Sequence, residues 1–329
     1  MQLVLSRIAW DRCFAGTTQV AVPPSCQGIA MSRLCIDLRR NRLWPIAADR
    51  CRRLAARIAV VVAAGTAVAG AVQAQTVREV NAEYDVVFNG VSIGTFEFNN
   101  RMAGQRYVAR SNAKGRLLFG ALKWTGNFSA SGRIIGDDVF PRAFQQSFES
   151  RRRLAFRTKK NLKSATLEFS RNGSVNAKLN PPLKTHERVP LRPEHKRNVF
   201  DPIAAIIAIT QTNVAKPCQA RLPVFEGRQR FDILLKPKGR ARLKDSLGRS
   251  YPGFVCAVRY VQVAGHRLKD DNSQLAKPGA IELVLRQVPE AELLVPHELR
   301  ISTSMGSAGM KARKIDIRTN GRGRIVLSN

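Results

Sequence analysis

The stretch Val80-Asn-Ala-Glu-Tyr84-Asp-Val-Val-Phe88, with Asn89-Gly90 and Val91-Ser-Ile-Gly-Thr-Phe-Glu-Phe98 after it, decides the fold class. Apolar side chains occupy the even positions from Val80 to Phe88, and Glu79, Asn81, Glu83 and Asp85 alternate with them. A period of two puts one face of an antiparallel strand in a core and the other in water. Asn89-Gly90 is a hairpin turn, because both residues tolerate the left-handed backbone that tight turns require. In the return strand the apolar phase slips at Gly94-Thr95. A β-bulge produces such a slip and bends the sheet that carries it.

The same period continues along the chain. Strands are predicted at Arg106–Ser111, Lys123–Ser131, Phe140–Glu149, Arg153–Thr158, Ala165–Phe169 and Ser174–Leu179. The segment Pro181–Asn198 is rich in Pro and charge and reads as an extended surface connection. Asp201-Pro202 then opens the run Ile203-Ala-Ala-Ile-Ile-Ala-Ile209. Asp suits the N-cap of a helix and Pro its first position. The run is apolar on every side and too short to cross a bilayer, so the helix is expected to be buried all round. Ile203, Ile206 and Ile207 are its candidate cavity-lining residues. Strands resume at Arg221–Phe225, Gln229–Lys236, Gly253–Val263, Ala280–Gln287, His297–Thr303, Lys311–Arg318 and Gly323–Leu327, with Glu226-Gly-Arg228 as a hairpin turn. The expected fold is mainly β. One highly curved antiparallel sheet, a half-barrel or β-spiral, would enclose the short buried helix. Residues 75–329 would form one domain; a two-domain sandwich split near Pro181 is the competing architecture.

Residues 1–74 read as a leader. Ile58 to Ala71 is apolar and uncharged, follows Arg50, Arg52, Arg53 and Arg57, and ends in Val72-Gln73-Ala74. This is a basic region, an apolar region and a small-residue cleavage site. The run is shorter than the roughly 20 residues of a spanning helix. Cleavage is expected after Ala74, leaving Gln75 first in a periplasmic protein that is not integral to a membrane. Residues 1–30 carry no clear pattern and Met31 offers a second start, so translation is expected to begin later than Met1, the alternative being a genuine extended leader.

The whole chain of 329 residues carries 55 Lys plus Arg against 24 Asp plus Glu, a net +31. With 44% hydrophobic residues it can bury a core, which excludes a wholly disordered chain. The leader holds ten Arg and three Asp, leaving 45 basic and 21 acidic residues beyond it, a net +24. In the cytosol this charge would suggest nucleic acid. Export removes that partner and offers lipid phosphates and other envelope anions. The plainer reading is a solvated basic surface. Of six Cys, only Cys218 and Cys256 lie beyond the leader. In an exported chain they are expected to form a disulfide, the alternative being two buried thiols.

Motifs for catalysis are missing. No His-Glu-x-x-His, Gly-x-Ser-x-Gly, phosphate-binding loop, dinucleotide fingerprint or Cys-x-x-Cys redox pair occurs. His186 and His195 lack neighbouring ligands, so neither a metal nor a cofactor is implied. Arg151-Arg152-Arg153 and Lys159-Lys160 stand out among the basic clusters. They read either as charge that protects strand edges or as a basic rim around a cavity mouth.

Tyr84-Asp-Val-Val-Phe-Asn-Gly-Val-Ser-Ile-Gly94 resembles the opening hairpin of exported proteins grouped as domain-of-unknown-function family 3108. The Asp-Pro-led helix fits that group. So does Val224-Phe-Glu-Gly-Arg-Gln-Arg-Phe-Asp232 before the Cys256 strand, with Glu226 where Asp is expected. The resemblance covers most of residues 80–328. It implies a Gram-negative envelope protein and carries over no catalytic residue. A looser architectural likeness is to periplasmic lipoprotein carriers and receptors. The expected function is non-enzymatic binding of a lipidic or amphipathic ligand in the concave face of the sheet. The alternatives are a scaffold on anionic envelope surfaces and a hydrolase whose carboxylates come from distant segments.

Overall fold

The computed structural model describes residues 77–117, 120–154, 157–211, 216–268, 273–321 and 323–328. The predicted leader, with its cleavage site after Ala74, lies outside the described residues. The first half contains β1 (Val77–Phe88), β2 (Val91–Ala103), β3 (Arg106–Leu117), β4 (Leu122–Ile135), β5 (Asp138–Leu154), β6 (Arg157–Phe169) and β7 (Val175–Asn180). Helix α1 (Pro202–Thr210) follows. The second half contains β8 (Ala220–Phe225), β9 (Arg230–Lys244), β10 (Ser250–Ala264), β11 (Ile281–Val288), β12 (Leu293–Thr303), β13 (Gly306–Thr319) and β14 (Gly323–Ser328).

These strands make a 14-stranded sheet in the order β7-β6-β5-β4-β3-β2-β1-β13-β12-β11-β10-β9-β8, with β14 paired to β13. All of its ladders are antiparallel, and the first and last hydrogen-bonded strands, β7 and β8, do not pair, so the sheet stays open. The β8–β9 turn instead crosses to the opposite arm. Gln146 Nε2 donates to the Glu226 carbonyl at 2.9 Å and to its carboxylate at 3.0 Å. A Cβ on Gly227 would come within 3.0–3.4 Å of Leu179, Ala165 and Leu167, so glycine permits the close approach.

The predicted bulge is present: Val86 pairs with Gly94 but Val87 with Ser92, leaving Ile93 extra. Two strand predictions need correction. Arg153–Thr158 is not one strand: Arg153 and Leu154 end β5, Arg157 and Thr158 open β6, and the two pairs stand opposite each other in the ladder. Apolar Leu154 and Phe156 alternate in the sequence as a single strand would. Strand β9 does not stop at Lys236. It continues to Lys244 along β10, with Cys256 opposite Pro237 and Val255 opposite Gly239. Beyond Leu235 it has no β8 partner on its other side, so Pro237 sits on an open edge, where its missing N–H costs no ladder bond.

Helix α1 lies inside the curve and touches β4, β5, β8 and β12. Ala205 and Ile209 enter a core with Leu222, Val258, Leu283 and Ile301. Ile203, Ala204 and Ile207 enter another with Tyr107, Ala130, Phe144 and Leu167. The helix therefore joins both arms of the sheet through opposite faces. It is not buried all round: Ile203 and Ile207 are buried, whereas Ile206 is only partly covered. The two arms cover the flanks of α1 and leave one stripe partly open.

Asp201 caps α1 as predicted. Its Oδ1 accepts the N–H groups of Ile203 and Ala204, both at 2.9 Å. The side chain is buried, and neither its Oδ2 nor the Tyr107 hydroxyl has a hydrogen-bond partner. Burial pushes the carboxyl up to about 7, against the pull of the two cap bonds. In the unfolded chain an Asp titrates near pH 4, so folding favours the protonated form. The stability from this group is therefore complete below about pH 4 and is lost as the pH rises through about 7. Asp201→Asn keeps a capping oxygen but does not titrate. Urea unfolding between pH 4 and 8 should show a flatter stability profile for the variant. An unchanged slope would refute this assignment.

Candidate functional site

In an antiparallel pair, directly opposed residues share a face, so register sorts the side chains of β3–β6 into layers. The layer of Ala109, Ala130, Phe144 and Leu167 packs on α1. Two layers further along the same face lie Phe96, Ala113, Gly126, Phe148 and Lys163. Next come Gly94, Gly115, Trp124, Ser150 and Asn161. Then come Leu117, Leu122, Arg152 and Lys159, with the pair Leu154–Arg157 beyond them. The concave face thus passes from aliphatic core, through an aromatic belt, to a cationic end.

The belt centres on Trp124 and Phe148. Their rings stack with centroids 6.4 Å apart and an 18° interplanar angle, and both are partly exposed. Trp124 lies flat across Gly115, where any Cβ would overlap the indole. Among the described residues its buried Nε1 has no hydrogen-bond partner. This partly exposed apolar strip, the trough, shares the sheet face of the layer that packs on α1.

Cations stand beside it. Lys163 is opposite Phe148. Arg228, from the β8–β9 turn, donates to the Ser164 and Asn180 carbonyls at 3.2 and 3.1 Å. Arg188 and Arg267 face each other in a short bridge, with Arg188 bonded to the Gly265 carbonyl. Burial holds the Lys163 ammonium below its usual range, and Arg228, Arg267 and Arg188 add to that; Glu226 opposes it. Burial pushes Glu226 up, against the Gln146 bond and Arg228. Among the described residues, three guanidinium groups and one carboxylate act on the Lys163 ammonium, a field that attracts anions such as a phosphate or a carboxylate.

The five predicted rim residues all lie on the β5–β6 hairpin and are exposed. Arg152 and Lys159 lie near the end of the concave face, while Arg151, Arg153 and Lys160 belong to the opposite face. Glu149 sits between Arg151 at 2.5 Å and Lys160 at 3.1 Å, and these hydrogen bonds hold its carboxyl below the usual range. Of the helix residues, Ile203 and Ile207 face core, and Ile206 is partly exposed. Cys218 and Cys256 form a disulfide with Cα atoms 5.2 Å apart. His186 is exposed beside Glu187, and His195 accepts the Arg192 N–H at 3.1 Å. Among the described residues no group of three or more His, Cys, Asp or Glu converges to hold a metal, and no helix is long and apolar enough to cross a membrane.

Sequence reasoning missed the Trp124–Phe148 stack and the Lys163 group. One signal was available: of the three Trp, only Trp124 lies outside the predicted leader. The partners come from different hairpins, and only register brings them together.

No curated protein matches the chain. A crystal structure described as a beta-barrel-like protein of domain of unknown function DUF1849, from Brucella abortus, superposes with a TM-score of 0.47. At 10% sequence identity the superposition covers 74% of this chain and 99% of that one. Residues 83–313 match the family described as "Protein of unknown function (DUF3108)", and the chain belongs to that family.

Proposed function

We propose that the chain is a non-enzymatic envelope protein that holds an amphipathic anionic ligand on the concave face of its sheet. The apolar part of the ligand lies along Trp124 and Phe148, and its anionic head meets Lys163 and Arg228. The observation that carries this reading is the partly exposed Trp124–Phe148 stack placed directly beside the cationic group. Small-ligand sites combine such apolar linings with a few converging polar groups. The proposal includes export with cleavage after Ala74 and residence in the periplasm; the Cys218–Cys256 bond suits that oxidising compartment.

Trp124 makes the test direct. In protein processed at Ala74 it is the one indole, so its emission reports the trough. Titration with monomeric lysophosphatidylglycerol should give a saturable blue shift. Lys163→Gln with Arg228→Gln should weaken this response roughly tenfold or more, since hydrogen bonds to charged groups are worth about 1.5–3 kcal/mol. Absence of any shift would overturn the reading, as would equal affinity in the double variant.

A further inference from the structure

We infer that the end of the sheet bearing the β5–β6 hairpin docks on the surface of an anionic phospholipid bilayer. This deepens the proposed function and rests on it for the purpose of docking, which is to bring the open end of the trough to the lipids.

The hairpin is not charged in the way that stability would favour. Arg151 stands directly opposite Lys160, and Arg152 opposite Lys159. Like charges so placed destabilise a sheet. Glu149 offsets only the first pair. On the other side of β5, Arg151 faces Lys123. Edge protection explains part of this pattern. Strand β7 covers β6 only from Ser164 to Phe169, so Lys159 and Lys160 lie on an open edge. It does not explain the arginines. Strand β5 is hydrogen-bonded on both sides there: Arg151 and Arg152 pair with β4 as well as β6, and the Arg153 N–H donates to the Ala121 carbonyl at 2.8 Å.

Two further features favour a bilayer over a protein partner. The cations occupy both faces of the ribbon, with Arg152 and Lys159 on one and Arg151, Arg153 and Lys160 on the other. A ribbon inserted among headgroups meets phosphates on both faces, whereas a flat protein surface meets one. Exposed apolar residues also share this end of the sheet. Val91, which opens β2, is 65% exposed and Met305, in the β12–β13 turn, 50%; the two hairpins are joined through Asn89, which accepts the Ser307 N–H at 2.8 Å. Basic residues interleaved with apolar ones suit the bilayer interface.

The test uses the processed protein and sedimentation with vesicles of phosphatidylcholine, with and without phosphatidylglycerol. Binding is expected only with phosphatidylglycerol and should fall at high salt. Arg151→Gln/Arg152→Gln/Arg153→Gln should weaken it roughly a hundredfold, at about fivefold per charge. Lys236→Gln/Arg240→Gln/Arg242→Gln, equal in charge but on β9, should bind nearly as wild type. Both variants are first compared by thermal unfolding, and removal of opposed like charges should leave the first one folded. If the two variants lose equal affinity, or wild type binds neutral vesicles as well, docking at this end is overturned. The Trp124 response to monomeric lysophosphatidylglycerol separates the two readings. A hairpin variant that keeps it while losing vesicles supports docking. Vesicle binding without any Trp124 response sinks the trough and leaves the docking surface standing.

Discussion

Ile207→Ala is expected to lower the unfolding free energy by about 2–5 kcal/mol, and Ile206→Ala by less than half as much. The difference follows from placement on α1. Ile207 is 2% exposed and shares a core with Tyr107, Phe144 and Leu167. Ile203, one turn earlier, extends the same face. Ile206 packs on that core only partly, so truncation removes less buried surface and leaves a smaller cavity. Urea unfolding of both variants is the measurement. Equal large losses would return the helix to the all-round burial that its composition suggests. A negligible loss for Ile207→Ala would mean that α1 is a lid. The Trp124 emission of the same variants adds a second readout. A structural helix should leave the lysophosphatidylglycerol response intact in both, because Trp124 lies on the far side of the aromatic belt from the layer that α1 covers.

The period-two pattern was legible in β1 because its two faces differ: Ala82 and Tyr84 are buried while Glu83 between them is exposed. Asp201-Pro202 was equally clear, since capping is a local interaction between a side chain and the next two N–H groups. Strand ends were less so. The sequence alternation of Leu154 and Phe156 suggests one strand where β5 ends and β6 begins, and Pro237 and Gly239 interrupt an alternation within a strand that pairing with β10 sustains. The candidate site is hardest to read. The Arg228 side chain lies against the Ser164 carbonyl, 64 residues away in sequence, through a turn that crosses an open sheet. Glu226 could be noticed as a departure from the expected Asp, but its bond to Gln146 depends on that same crossing. Register and closure are long-range properties, and local pattern does not encode them.

Loss of the Cys218–Cys256 bond should cost about 2–5 kcal/mol. For a domain of this size that corresponds to a fall in Tm on the order of 10 °C. The bond closes a separation of 38 residues, worth about 4 kcal/mol if the unfolded chain gains the corresponding freedom. Its position adds a structural reason. Cys218 lies two residues before β8, the last hydrogen-bonded strand at one end of the sheet, whereas Cys256 is buried in β10 with β9 between them. Both sulfurs belong to the core that receives Ala205 and Ile209 from α1. The bond therefore fastens the segment between helix and end strand to the interior of the sheet. Cys218 also has φ +64°, a left-handed conformation costing a non-glycine residue about 1–2 kcal/mol, which the surrounding constraints must offset. Cys218→Ala/Cys256→Ala is the variant of choice, since it leaves no buried hydroxyl. Thermal unfolding of this variant, and of wild type with reductant, should give the same lowered Tm. If both match oxidised wild type, the bond does not stabilise the fold. A fall in the variant without one in the reduced protein would assign the loss to packing. If the β8–β9 turn loosens as well, the Arg228 contacts with Ser164 and Asn180 should weaken, and Trp124 should bind lysophosphatidylglycerol less tightly even below the new Tm.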